Sequence, residues 1–232
     1  MIVSAHQPLF IPWLGFFNKY VASDKFVMVD NVQFPRKEFV NRNLILGPNG
    51  PYWITVPVDS QNHRTLLIRD TEISHSYSPL KTAKALMAPY VKAEFGHEVE
   101  VIAGLIANFD GKYLIDLNIL LFNQFCDLLN IPKNYLLASE LNVQGHKSEY
   151  VLDLCLKTNA DSYLFGSQGR KYVDKQSFLE SNITVKFQDF KRVPADLYTH
   201  DGRALGVVHA LSSVGGKNLA KLIAISPGDF DE

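Results

Sequence analysis

The first thirty residues, MIVSAHQPLFIPWLGFFNKYVASDKFVMVD, limit what this chain can fold into more than any other stretch. Met1 to Ala5 is short, apolar and β-compatible. Pro8 and Pro12 forbid a continuous helix through the next segment, because each lacks an N–H and biases the residue before it toward extended backbone. Residues 15–22 (GFFNKYVA) have apolar spacing that suits a short helix, and Lys25 to Val29 reads as a second strand that ends at Asp30. A strand, a loop, a short helix and a strand in this order form a βαβ-like opening, in which two parallel strands need a crossover between them.

Downstream, Val40 to Leu46 and Tyr52 to Val58 read as a hairpin around Gly-Pro-Asn-Gly-Pro, and Leu66 to Ile73 as a further strand. From Ser78 to about Leu129 the pattern is helical, with a cap expected at Ser78 and proline at the first helical position. The apolar run DLNILLFNQFCDLLNI is helical in period and stops at Pro132. Ser148 is expected to cap a helix that ends near Asn159, followed by the strand DSYLF, the loop Gly166 to Arg170 and the strand ITVKFQDF. Residues 205–223 read as a helix, a glycine turn and a second short helix. The expected architecture is α/β, with a Rossmann-like, mainly parallel sheet and a mostly helical middle segment. One domain is expected over 1–232, with 78–130 as a candidate helical subdomain.

Charge excludes some partners. The 23 basic and 24 acidic residues leave a net charge of −1, which argues against duplex nucleic acid or an anionic bilayer as a bulk electrostatic partner. A small anion held by one or two local groups stays open. Cys126 and Cys155 sit in apolar, helix-like segments without metal-ligand spacing and read as reduced, buried thiols. No run approaches the roughly 20 apolar residues of a membrane span, and the N-terminus lacks the basic and apolar regions of a signal peptide. A cytoplasmic location is expected, and the sequence does not reveal the oligomeric state.

Four groups of residues could carry chemistry. His6 and Gln7 follow the first strand, at the edge where open α/β sheets place ligands. His6 can act as acid or base near neutral pH, and Gly15 lets backbone N–H groups approach a phosphate. A proline-stiffened turn whose aromatics cap the core explains the same residues equally well. The second group is Asp24, Asp30, Gln33, Arg36, Arg42 and Asn43. Arg42 offers a planar fork for carboxylate or phosphate, whereas Asp24 is better read as a turn cap. The third is the loop with Gly166, Gly169 and Arg170, which allows close backbone approach to an anion with Arg170 as countercharge. The fourth is His209 with Ser212, Ser213, Gly215, Gly216 and Lys217, better read as a helix end than as a phosphate site. His63, His75, His97, His146 and His200 are scattered and read as surface or loop residues. Metal-site spacing is absent from the sequence.

Taken together, HQPLFIPWLGFFNK, Ser23-Asp24, Asp30, Val32-Gln33-Phe34, Asn41-Arg42-Asn43 and WITVPV resemble the opening of the WbqC-like family, whose pattern runs HQPxYxPWxGYFxK, ADxFVxLDxVQF, NRN and W(I/L)TVPV. NADSYLFGSQGRKYVD and LGVVHALSSVGGKNL are similar to its later segments. Phe10 replaces the usual tyrosine, Ser23 the usual alanine, Gln168 the first of a glycine pair, and His209 stands near an expected aspartate.

The resemblance implies a cytoplasmic enzyme of surface-polysaccharide (O-antigen) synthesis. The polar residues gathered at the expected strand ends lead to a transferase or ligase that attaches an acyl or aminoacyl group to a nucleotide-linked amino sugar. His6 would be the acid/base and Asp30 its orienting partner or a sugar ligand. Gln7, Gly15, Gln33, Arg42, Asn43, Gly166, Gly169 and Arg170 would bind substrate, and Trp13 would stack on a ring. The cofactor is unassigned, with ATP or an acyl donor as candidates. A nucleotidylyltransferase-like activity, suggested by the Pro12-Trp-Leu-Gly15 turn and helix, and a non-catalytic nucleotide-sugar-binding protein are the alternatives.

Overall fold

A computed structural model describes residues 1–59, 65–190, 193–224 and 230–231; His63 lies outside them. In chain order the elements are β1 (Ile2–His6), α1 (Leu14–Val21), β2 (Lys25–Met28), the hairpin β3 (Arg42–Gly47) and β4 (Gly50–Thr55), then α2 (Pro79–Met87), α3 (Gly96–Ala107) and α4 (Leu114–Leu129). There follow β5 (Tyr135–Leu137), α5 (Ala138–Leu141), α6 (Ser148–Thr158), β6 (Ser162–Phe165), α7 (Lys175–Glu180) and β7 (Thr184–Gln188). The ribbon β8 (Thr199–His200) and β9 (Arg203–Ala204) precedes α8 (Val208–Val214), α9 (Gly216–Ile223) and β10 (Phe230–Asp231).

The central sheet has the order β10-β7-β6-β1-β2-β5. Its pairs are parallel from β7 to β5, and β10 is added antiparallel to β7. Numbered by appearance, the five parallel strands run 5-4-1-2-3, which read from the other edge is the 3-2-1-4-5 order of a Rossmann fold. The expected α/β, mainly parallel architecture and its βαβ opening are therefore present. Strand alternation separates the two faces: Phe26 and Met28 join one apolar cluster, Val27 the other. The first cluster gathers α1, the hairpin, α2 to α4, α8 and α9, and the second gathers α6 and α7.

The segment between β1 and α1 is buried from Pro8 to Pro12, so its carbonyls must find protein donors. Asn118 Nδ2 donates to Pro8 O at 3.1 Å and to Val40 O at 2.8 Å. Asn43 Nδ2 donates to Ile11 O at 2.6 Å and to Phe10 O at 3.4 Å. Val207 N donates to Pro12 O at 2.8 Å. Ile11 has φ 53°, a left-handed conformation costly for a β-branched residue, and it persists because these contacts over-determine it.

Gly206 lies against this strained turn. A Cβ there would meet Ile11 Cγ2 at 2.9 Å and Ile11 O at 3.2 Å. Gly206→Ala is thus expected to destabilise the fold by about 1–3 kcal/mol through overpacking. The measurement is a lowered denaturant midpoint with an unchanged slope.

Three expectations are corrected. Residues 66–73 are not a strand: Ile68–Asp70 is a 3₁₀ turn, with isolated bridges at Gln33–Leu67 and Val58–Ile73. Ser148 does not cap α6. Lys147 holds that position, with φ 51°, and the Ser148 hydroxyl accepts from Asp174 N at 2.9 Å. Ser78 does stand at the start of α2 with Pro79 first in the helix, but its side chain makes no capping bond. The paired short helices at 208–223 are as expected, joined at Gly215 with φ 73°. Both cysteines are free and buried, which pushes each thiol up to about 12. Among the described residues no helix is long and apolar enough to cross a membrane.

Candidate functional site

In an open parallel sheet, ligands sit outside the carboxyl ends of the strands where the strand order reverses. Here that switch point lies between β1 and β6, whose exits carry His6-Gln7 and Gly166 to Gly169. A cleft of about 750 Å³ opens there, bordered also by Gln33, His146, Lys147 and Tyr150. A smaller chamber of about 250 Å³ lies beside it, between the start of α1 and the 166–169 turn. Ala5, His6, Tyr163, Gln168 and Tyr172 border both, so they form one crevice. Among the described residues that line either chamber there is no Asp or Glu.

His6 stands where the two chambers meet. Its ring packs edge-on against Trp13 at 5.5 Å and Phe16 at 5.3 Å between centroids, with one side open to the crevice. Nδ1 lies 3.1 Å from the Gln7 carbonyl oxygen. A carbonyl only accepts, so Nδ1 carries the proton and Nε2 is the basic nitrogen of the neutral ring. Burial, reinforced by the positive charge of Lys19 and partly offset by the Gln7 bond, lowers the imidazole to about 4. His6 is therefore neutral near pH 7 and can accept a proton.

Lys19 reaches the smaller chamber from α1 and is only 5% exposed. Its Nζ donates to Ala5 O at 2.8 Å. Desolvation lowers the amine to about 7. Sequence reasoning did not single out this residue. Its burial comes from packing: five consecutive residues, Phe16 to Tyr20, are buried, so the helix has no wet face for a lysine to occupy. Gln188 of β7 fixes the first turn of α1, donating to Gly15 O at 2.8 Å and Asn18 Oδ1 at 2.6 Å.

Of the residues expected at the site, His6, Gln7, Trp13, Gly15, Gln33, Gly166 and Gly169 line the crevice. The two glycines differ. A Cβ on Gly169 would strike Phe165 at 2.5 Å, so this position serves packing, whereas one on Gly166 would meet nothing within 4 Å. His146, expected to be a bystander, borders the larger chamber, and the neighbouring Lys147 holds a positive φ that only Gly adopts freely.

The others are engaged elsewhere. Arg42 lays its guanidinium 4.0 Å from the Trp53 ring centre and bonds to the Lys37 carbonyl. Asn43 is fully buried under the opening loop. Arg170 stacks over Phe187 at 4.1 Å. His209 bonds through Nε2 to Asp196 O at 3.1 Å, away from the crevice.

Asp30 bonds to Ser139 rather than to His6. The Asp30 carboxylate is 2% exposed and accepts from Ser139 N at 2.8 Å and Ser139 Oγ at 2.6 Å, which pins the turn into α5. Asp30→Asn keeps an acceptor for Ser139 N and is expected to retain activity within a few-fold, at a stability cost of about 1 kcal/mol. Loss of turnover in a fully folded Asp30→Asn protein would restore Asp30 to the reaction. Among the described residues, no group of three or more His, Cys, Asp or Glu is placed to hold a metal ion.

The strand order and the crevice at its reversal define a Rossmann-type α/β protein. The chain belongs to the WbqC-like protein family, whose model matches residues 7–213. It is similar to the uncharacterized protein Rv1507c of Mycobacterium tuberculosis (strain ATCC 25618 / H37Rv), with 30% identity over 189 residues that cover 81% of this chain and 82% of that protein. No solved structure gives a significant match.

Proposed function

We propose that this protein is a cytoplasmic enzyme of surface-polysaccharide synthesis that transfers or ligates an acyl or aminoacyl group onto the amine of a nucleotide-linked sugar. The observation that carries the reading is a neutral His6 with its basic Nε2 at the switch point of a Rossmann sheet, in a crevice whose described lining residues include no carboxylate. The amine nitrogen attacks the acyl carbonyl carbon, and His6 Nε2 takes the N–H proton. The C–N bond forms as the bond to the leaving group breaks, and His6 returns the proton to that group. Trp13 offers a ring face at the crevice wall for a base or sugar. The larger chamber has room for a sugar joined to a nucleotide. The net charge of −1 suits a small-molecule partner more than nucleic acid. We further propose that residues 1–232 act as one unit, because the helical middle segment shares the apolar cluster of α1.

The test is incubation with a uridine-diphosphate-linked amino sugar and either an acyl-coenzyme A or an amino acid with ATP. An acylated sugar nucleotide, detected by mass, supports the reading. Pyrophosphate release without acylation would favour nucleotidyl transfer, and tight binding without turnover would favour a binding protein.

A further inference from the structure

We infer that the smaller chamber is a phosphoryl-binding subsite in which Lys19 supplies the positive charge, taking up a proton as the anion arrives. The inference rests on the crevice being the ligand site and adds which part of it meets the phosphate.

Lys19 is unlike the other lysines described. Its amine is buried, yet the one hydrogen bond it makes goes to a neutral carbonyl, Ala5 O. An ammonium has three donors, so two are left without a protein acceptor. A buried cation is ordinarily paired with a carboxylate, and none is among the described residues that line this chamber. The walls are aromatic, with Trp13, Phe16 and Phe165, so a charge pair formed here is weakly screened. Ser167 and Gln168 border the same space and offer neutral donors, and the Gly166 side of the turn is open.

These features fit a doubly charged tetrahedral oxyanion and fit poorly with a cation or an apolar group. Desolvation leaves the resting amine mostly neutral at about pH 8. Among the described residues, the other titratable groups that border the chamber are His6 from β1, Tyr163 from β6 and Tyr172 beyond the 166–169 turn. His6 is lowered to about 4, while Tyr163 and Tyr172 are raised by burial, so all three stay neutral from about pH 6 to 9. Among the described residues that border the chamber, Lys19 alone changes charge in that window.

The experiment is isothermal titration of the whole protein with sulfate, which does not itself titrate in this range. It is run at about pH 8 in two buffers of different ionisation heat. The expected result is uptake of close to one proton per sulfate, with affinity falling up to about tenfold per pH unit above 7. Lys19→Met is expected to abolish the uptake and weaken binding at least tenfold. That variant removes an uncompensated buried amine and is expected to fold with a raised Tm. The sign follows from the lowered amine: between about 7 and 10.5 the unfolded chain holds a proton that the folded one lacks, so Lys19 detracts most from stability below about pH 7.

Should the variant not fold, the Lys19 ¹³Cε resonance of the wild type reads the same event, and sulfate is expected to move its midpoint up by at least one pH unit. No sulfate binding, binding without proton uptake, or equal binding by folded Lys19→Met would overturn the inference. Uridine diphosphate separates the sources of the phosphoryl group. If it displaces sulfate, the subsite holds the phosphate of a nucleotide, and if both bind together it holds a second phosphorylated species. Acylation of the sugar nucleotide by a wild-type protein that shows none of the sulfate effects would remove this inference and leave the enzymatic reading standing.

Discussion

His6→Gln is expected to lower kcat/KM for acylation of the sugar nucleotide by about 10²–10⁴-fold, the range lost when a general base is removed. The fold should survive. The ring is held by two edge-on aromatic contacts and one bond to its neighbour's carbonyl, and glutamine fills much of the same space. The pH profile separates a base from a mere filler. With the imidazole lowered to about 4, wild-type activity should persist down to about pH 5 and fail as His6 protonates, while His6→Gln loses that acid limb. An alkaline limb near 7, belonging to Lys19, is expected to remain in the variant.

Stability gives an independent readout. The folded state holds His6 below its ordinary value of 6.5, so the unfolded chain binds more protons between 6.5 and about 4, and wild-type stability falls as pH drops through that window. The variant should lack this component. Wild-type turnover by a folded His6→Gln protein would remove His6 from the chemistry.

Asn43→Ala is expected to cost about 2–4 kcal/mol, the largest stability effect among the substitutions considered. Asn43 is 0% exposed and clamps both sides of the strained Ile11 turn: Nδ2 bonds to Ile11 O at 2.6 Å and, more weakly, to Phe10 O, while Oδ1 accepts from Leu44 N at 2.7 Å. Alanine leaves buried carbonyls and an N–H without partners and opens a void under the turn. The turn connects His6 to Trp13, so slackening it also misplaces the base and its aromatic wall. Any activity left in the variant should therefore show a lowered kcat. Asn41→Ala is the control. It removes one bond, from Nδ2 to Val56 O at 2.9 Å, and should cost about 1 kcal/mol without a change in kcat. Equal effects of the two substitutions would contradict the clamp.

The contrast between these two asparagines shows where sequence reasoning stopped. The βαβ opening was legible because two prolines interrupt apolar segments of different period, and short strand, turn and helix signals leave few topologies. The crevice residues His6, Gln7 and Gly15 followed from that topology, since a loop after a first parallel strand lies at the ligand edge. Side-chain direction was not legible. Asn43, Arg42 and Asp30 carry the residue types of a binding site, but their long-range partners, Ile11, Trp53 and Ser139, are set by how the hairpin and β5 dock. β5 itself is three residues long, too short for a period to declare strand over helix. Lys19 was missed because a lysine in a short helix ordinarily marks the wet face, and only the packing of α1 against β1 takes that face out of water.

Chemistry at the β1–β6 switch point is tested most directly by a crystal structure of the protein with a bound uridine-diphosphate-linked amino sugar. The sugar amine is expected within hydrogen-bond distance of His6 Nε2, with the phosphates in the chamber beside Lys19 and the 166–169 turn. Ligand bound instead against the Arg42–Trp53 face or the surface around His209, with the crevice filled only by water, would contradict it.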